Sequence, residues 1–311
     1  PLQTVRNDFD SSRTEIAIAS GGTAAVITGS LGGGQLGALL DFRDQVLNPA
    51  QNSLGRIAVS LGTTFNIQHT AGVDFAGVAG TNYFSVTTPL VAGSSNNTGT
   101  ATVTAAFDNA NIDKLTTEDY TLAFDGTAWS LSRVSDGQAV TMTGSGTALA
   151  PFLFDGLSVV VTAGAAAGDR FQIRPTRSGA AGMGVLISNP RGIAAAAPAG
   201  GSASPGDNSN ALLLAGLQTS LTMENGATNF QGAYGQLIAQ LGTQTRSAEI
   251  SAQAQGALLA QAQESRDALS GVNLDEEAAD LIRFQQAYQA IAQVISVADS
   301  TFRTLLSAIG R

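Results

Sequence analysis

The sequence predicts an α+β multidomain fold, a long-helix bundle with an antiparallel β domain inserted into it. Three observations carry this reading. Apolar residues recur every three to four positions near the start and again through the last third, as on one face of a helix. Between those stretches they alternate by two and are punctuated by Asp-Gly pairs, as in hairpins. The chain has 311 residues, more than one hydrophobic core usually holds.

Residues 1–33 read as a β-hairpin with a Gly-rich connection. Residues 14–28 (TEIAIASGGTAAVIT) alternate around Gly21-Gly22, and Gly32 to Gly34 follow. Residues 34–73 read as helical and form the first part of a discontinuous helical domain. Leu36, Leu39, Leu40 and Val46, then Leu54, Ile57, Leu61 and Phe65, keep helical spacing. Pro49 has no N–H and crowds the preceding turn, so a break or kink is expected at Asn48-Pro49. His69, the only histidine, is expected to cap carbonyls at the end of this helix.

Residues 74–204 read as a β-rich domain and linker. Tyr120 to Phe124 and Trp129 to Val134 alternate, and Asp125-Gly126, Asp136-Gly137 and Asp155-Gly156 suit tight turns with positive φ. Trp129 and Tyr120 are expected in the core of these strands rather than on a sugar-stacking platform. From 177 to 206 the chain is rich in Gly, Ala and Pro around Val185, Leu186 and Ile187, which suggests one or two strands and then a flexible linker. Residues 205–311 return to helical spacing as the second part of the helical domain. Within them Phe230, Tyr234, Leu237, Leu241, Ala248 and Leu258 share one face.

The strongest pattern closes the chain, as a heptad helix over 273–311. Leu274, Leu281, Phe284, Tyr288, Ile291, Ile295, Ala298, Phe302, Leu305 and Ile309 alternate spacings of three and four, with Glu277 as the one interruption. Asn273 and Glu276 are spaced for a capping box, and Asp275, Glu276 and Glu277 face the positive end of the helix dipole. Such a seam needs a partner helix. The candidate subunit-interface residues are Leu281, Phe284, Tyr288, Ile291, Ile295, Phe302, Leu305 and Ile309.

Composition narrows function. A net charge of −9 with basic residues scattered singly disfavours nucleic acid and anionic membrane surfaces. No apolar run is long enough to span a bilayer. The absence of cysteine removes disulfides and thiolate chemistry. Gly29 to Gly34 (GSLGGG) lacks the lysine of a phosphate-binding loop and reads as a capping turn. The acidic cluster at 275–280 is explained by the helix dipole. No constellation amounts to a catalytic, cofactor or metal site, and the chain reads as a non-enzyme. It opens at Pro1 without a charged-then-apolar leader, so a native N-terminus upstream is expected.

The stretch Ser270 to Ala290 (SGVNLDEEAADLIRFQQAYQA), running into a closing helix, resembles the C-terminal signature of the flagellar hook-associated protein 1 family, with a looser version in hook and rod proteins. Gly29 to Gly32, Leu39 to Arg43, Leu54-Gly55, Phe65-Asn66, Gln68-His69, Gly72 and Asp74 resemble the middle of the same family. The resemblance implies a bundle of axial-protein type and an extracellular place at the hook-filament junction of the bacterial flagellum. It implies type III export, with a flagellar export chaperone as a partner, and assembly through terminal helices. The other partners it implies are hook protein, hook-associated protein 3 and copies of the chain itself in an eleven-subunit ring. It also implies that an N-terminal helical half belongs with this chain. The alternatives are another axial protein, such as a hook protein or a flagellin-like subunit, and a secreted glycan-binding or glycan-hydrolysing β-domain protein.

Overall fold

Strand β1 (Leu2–Arg6) pairs antiparallel with β2 (Thr14–Ser20), which pairs with β3 (Thr23–Val26). The expected hairpin is therefore two strands of a three-stranded sheet. β1 escaped the sequence reading because it is almost wholly exposed, so no buried face marks its period. The computed structural model describes residues 1–20, 23–198, 206–270 and 274–310. The Gly21-Gly22 turn and the Asn273 cap lie outside them.

Helix α1 (Gly34–Asp41) starts after Gly33, whose φ of 82° is open to glycine. Of the break or kink expected at Asn48-Pro49, the break does not occur, and the disturbance takes the form of a local widening. The backbone widens into a π-helical turn, Phe42–Leu47, and continues as α2 (Asn48–Thr70). In a regular α-turn the Pro49 ring would collide with the carbonyl four residues back, on Gln45. The wider π-turn supplies the room, so the helix passes the proline instead of ending there.

The β region comprises β4 (Phe84–Ser85), β5 (Leu90–Gly93), β6 (Val103–Phe107), β7 (Tyr120–Phe124), β8 (Trp129–Arg133), β9 (Phe152–Phe154), β10 (Leu157–Val161), β11 (Arg170–Arg174) and β12 (Gly184–Val185). A four-stranded sheet runs β5-β11-β7-β8, a three-stranded sheet runs β6-β10-β9, and β12 pairs with β4. Every pairing is antiparallel. The glycines of all three Asp-Gly pairs take positive φ, and Asp155-Gly156 joins β9 to β10 with both residues left-handed.

The two larger sheets, with β5 to β11 as the β module, enclose a core of Tyr120, Leu122, Leu157, Val159 and Ile173, all fully buried, which Val59 of α2 enters from outside. Each such side chain contributes roughly 1.5–3 kcal/mol over leaving it in water. Two polar groups are buried with them. The Tyr120 hydroxyl lies 2.7 Å from Asp155 Oδ2, to which it donates, and 2.7 Å from Thr116 Oγ1. The Asp169 carboxylate accepts backbone N–H bonds from Thr98, Gly99 and Ala166. Trp129 is half-buried and packs at a tilt against Phe124 and Phe171.

A second core joins α2 to the start of α4 (Phe230–Ser270). Ile57 packs with Met223, Phe230, Ala233 and Leu237, flanked by Ala50, Leu61 and Leu241. Helix α3 (Ser209–Gly216) also lies against α2.

The expected flexible linker is corrected by the structure over its described part. Ala194 and Ala196 are buried. Val73 and Ala196 exchange backbone hydrogen bonds, and Asn210 Nδ2 donates to the Ala194 carbonyl at 2.6 Å. His69 belongs to this joint rather than to a helix cap. Its Nε2 accepts the Ala194 N–H at 2.9 Å, so Nδ1 carries the proton and donates to the Thr81 carbonyl at 2.6 Å. Residues 199–205 of the expected linker lie outside the described residues.

By compactness the chain forms two units, Pro1–Gln244 and Thr245–Arg311. Both cores lie in the first. The second holds the remainder of α4 and helix α5 (Leu274–Ile309).

Candidate subunit interface

Helix α5 runs for 36 residues, about 54 Å at 1.5 Å per residue. Asp275, Glu276 and Glu277 occupy its first turn, where they offset the positive end of the dipole. Asp280 with Arg283 and Asp299 with Arg303 form exposed pairs one turn apart, each worth a few tenths of a kcal/mol. From Phe284 to Ala298 the helix carries no charged residue. Its polar positions there are Gln285, Gln286, Gln289, Gln293 and Ser296.

All eight candidate residues lie on α5, and the 3-4 spacing puts them along one stripe. Each is between 55% and 78% exposed. The structure also shows what the heptad reading passed over. Val294 and Leu306, at the positions flanking the stripe, and Ile282 and Val297, farther round, are exposed as well. The apolar surface is therefore wider than an a/d seam, and a count of all large apolar residues on the helix would have found it.

The α4 face proposed from sequence divides along its length. Phe230 and Leu237 are buried and Leu241 is partly so, whereas Tyr234, Ala248 and Leu258 are exposed. From Thr245 to Asp267 every residue of α4 is exposed, including Ile250 and Leu259. Among the described residues, no side chain of α4 or α5 in this second unit is buried. A long apolar surface left in water on a helix is the physical signature of a docking face.

Three family models match separate parts of the chain. Residues 1–84 match the helical domain of flagellar hook-associated protein FlgK, residues 91–175 the D2-like domain of flagellar hook-associated protein 1, and residues 265–308 the C-terminal region of flagellar basal body rod FlgEFG proteins. Flagellar hook-associated protein 1 of Escherichia coli is 34% identical over 308 residues, which is 98% of this chain and 55% of that protein. The Salmonella typhimurium protein of the same name is 34% identical over 312 residues, 98% of this chain and 56% of its own length. The chain thus spans a little over half the length of the curated relatives it matches. The solved structure of the flagellar hook junction protein FlgK from Burkholderia pseudomallei aligns with a TM-score of 0.73 at 25% identity, covering 86% of this chain and 70% of that one. With long C-terminal helices, antiparallel sheets and matches to both its helical and D2-like parts, this chain belongs to the flagellar hook-associated protein 1 family.

Proposed function

We propose that the chain is part of a structural, non-catalytic subunit of the bacterial flagellum, located outside the cell where hook meets filament. It assembles through its terminal helices, with the stripe Leu281, Phe284, Tyr288, Ile291, Ile295, Phe302, Leu305 and Ile309 as the subunit-contacting face. The observation that carries this reading is the exposure of that stripe on a helix whose middle bears no charge. A helix that stayed in water would gain solubility from charges, and a face packed in a dry interface excludes them. Likeness to relatives named for the hook association and the hook junction supports the location. Hook protein, hook-associated protein 3, an export chaperone and further copies of the chain, in a ring of eleven, are the proposed partners.

The test uses cells that carry the full-length subunit with Leu305→Asp. An unpaired carboxylate in the interface is expected to leave hooks without filaments and abolish swimming, while secreted subunit remains detectable. Normal filaments and motility in that strain would overturn the assignment of this stripe.

A further inference from the structure

Helix α2 and the β module flank a polar cleft of about 420 Å³. Arg177, just beyond β11, spans it with three bonds. Nε donates to Asn52 Oδ1 at 2.9 Å, Nη1 to Asn48 Oδ1 at 3.0 Å and Nη2 to Asp119 Oδ2 at 2.8 Å. Asn52 completes the fork by donating to Asp119 Oδ1 and to the Thr117 carbonyl. A planar guanidinium is rigid where an ammonium swivels, so one side chain fixes two residues of the helix and one of the module together. Partial burial pushes the Asp119 carboxyl up, and the Arg177 charge opposes that rise.

One further contact joins the same bodies directly, and another links them through the turn before α4. At the first, Gly55 of α2 meets the turn after β11. A methyl on Gly55 would overlap the Thr176 carbonyl, and one on Gly179 would lie 2.6 Å from the Gly55 carbonyl oxygen. Close backbone approach, rather than φ, demands glycine at both. At the second, the turn before α4 places Glu224, Asn225 and Gly226 in succession at φ 55°, 57° and 80°. Left-handed backbone at a glutamate persists only where its surroundings hold it. Here Arg56 of α2 donates to Glu224 at 2.8 Å, and the Asn225 N–H donates to the Asp113 carbonyl of the 3₁₀ turn Asn109–Lys114 at 2.9 Å.

We propose that these three contacts form a rigid mount that presets the direction of the β module relative to helix α2 within each subunit, before any assembly. Rotation about one contact strains the other two. The inference rests on residues Pro1–Gln244 alone and holds whatever the second unit binds.

The chain has no cysteine, so spin labels go where they are placed. Gln51 of α2 and Thr104 of β6 are exposed, and a Gln51→Cys, Thr104→Cys pair reports the angle as a distance distribution. One narrow distribution is expected for the parent. Arg177→Ala and Arg177→Lys both broaden it, since a lysine cannot hold three acceptors in one plane. Gly55→Ala displaces its centre. A Thr104→Cys, Ser130→Cys pair inside the module stays narrow throughout if the module remains folded. Should it broaden in Arg177→Ala, the double variant Asn48→Ala, Asn52→Ala decides, because it removes the acceptors from the helix side. A broad distribution in the parent, or one as narrow and as centred as the parent's in the deciding variant, overturns the mount.

Discussion

Helices α2 and α5 both repeat apolar residues every three to four positions, yet α2 is covered and α5 is not. α2 sends Val59 into the core of the β module and Ile57 into the helical core with Phe230 and Leu237. Along α5 the stripe from Leu281 to Ile309 is open to water. Each large apolar side chain left there forgoes roughly 1.5–3 kcal/mol of burial, so the stripe as a whole leaves a large burial energy unrealised. The contrast teaches that periodicity reports the existence of a sticky face and is silent on whether the same chain covers it. In the first unit, sheets and helices converge on α2. In the second, no side chain is buried among the described residues.

Substitutions should separate the two regions by size of effect. Ile173→Ala empties a fully buried site in the β module and should cost about 2–5 kcal/mol, read as a lowered denaturant midpoint. A loss below about 1 kcal/mol would show a core that collapses around the gap.

Tyr120→Phe keeps the ring and removes only the hydroxyl between Asp155 and Thr116. Leaving Asp155 without that donor should cost about 1–3 kcal/mol by the same measurement. Phe154, which packs edge-on against the Tyr120 ring, should be undisturbed in its spectrum.

Asp169 sharpens the comparison through pH. The Ala166 N–H foremost, with those of Thr98 and Gly99, holds its carboxyl below the usual range while burial opposes them. A depressed carboxylate stabilises the fold above the unfolded value, near 3.9, and that contribution is lost as pH falls through the folded value. The melting-temperature gap between the parent and Asp169→Asn should therefore be widest at neutral pH and should close below about pH 4. A gap independent of pH would assign the effect to hydrogen-bond geometry rather than charge.

The smallest expected effect falls in the second unit. Leu305→Asp should change the stability of the isolated chain by less than about 0.5 kcal/mol, because little burial is lost. A large destabilisation would show that α5 buries its stripe within the chain in solution, and would erase the contrast with α2.

Much of the fold was legible from local pattern. Asp155-Gly156 marks a hairpin because left-handed backbone favours those residue types, and the heptad from Leu281 onward marks a helix because one face repeats without interruption. Less of the joint between the elements could be read. Residues 193–198 have an Ala-rich composition with no period. The Ala194 N–H and both backbone groups of Ala196 are satisfied by His69 and Val73, far away in sequence, and other groups by Asp207, Asn210 and Ala211, beyond the segment that follows. His69 looked like a cap because it sits in the last helical turn, and its ring instead bridges two segments that only folding brings near.

The sequence by itself determined the long helical stretches, the alternating strands with a buried face, the Asp-Gly turns between them, and that α5 bears a face suited to burial; β1, which is almost wholly exposed, left no such mark. Those properties follow from backbone sterics and side-chain order over a few residues. Only the tertiary structure decided that Arg177 bridges a helix and a sheet, and that α2 is covered while α5 stays open. Each of these depends on which surfaces meet across long stretches of chain, and a short-range period holds no information about that meeting.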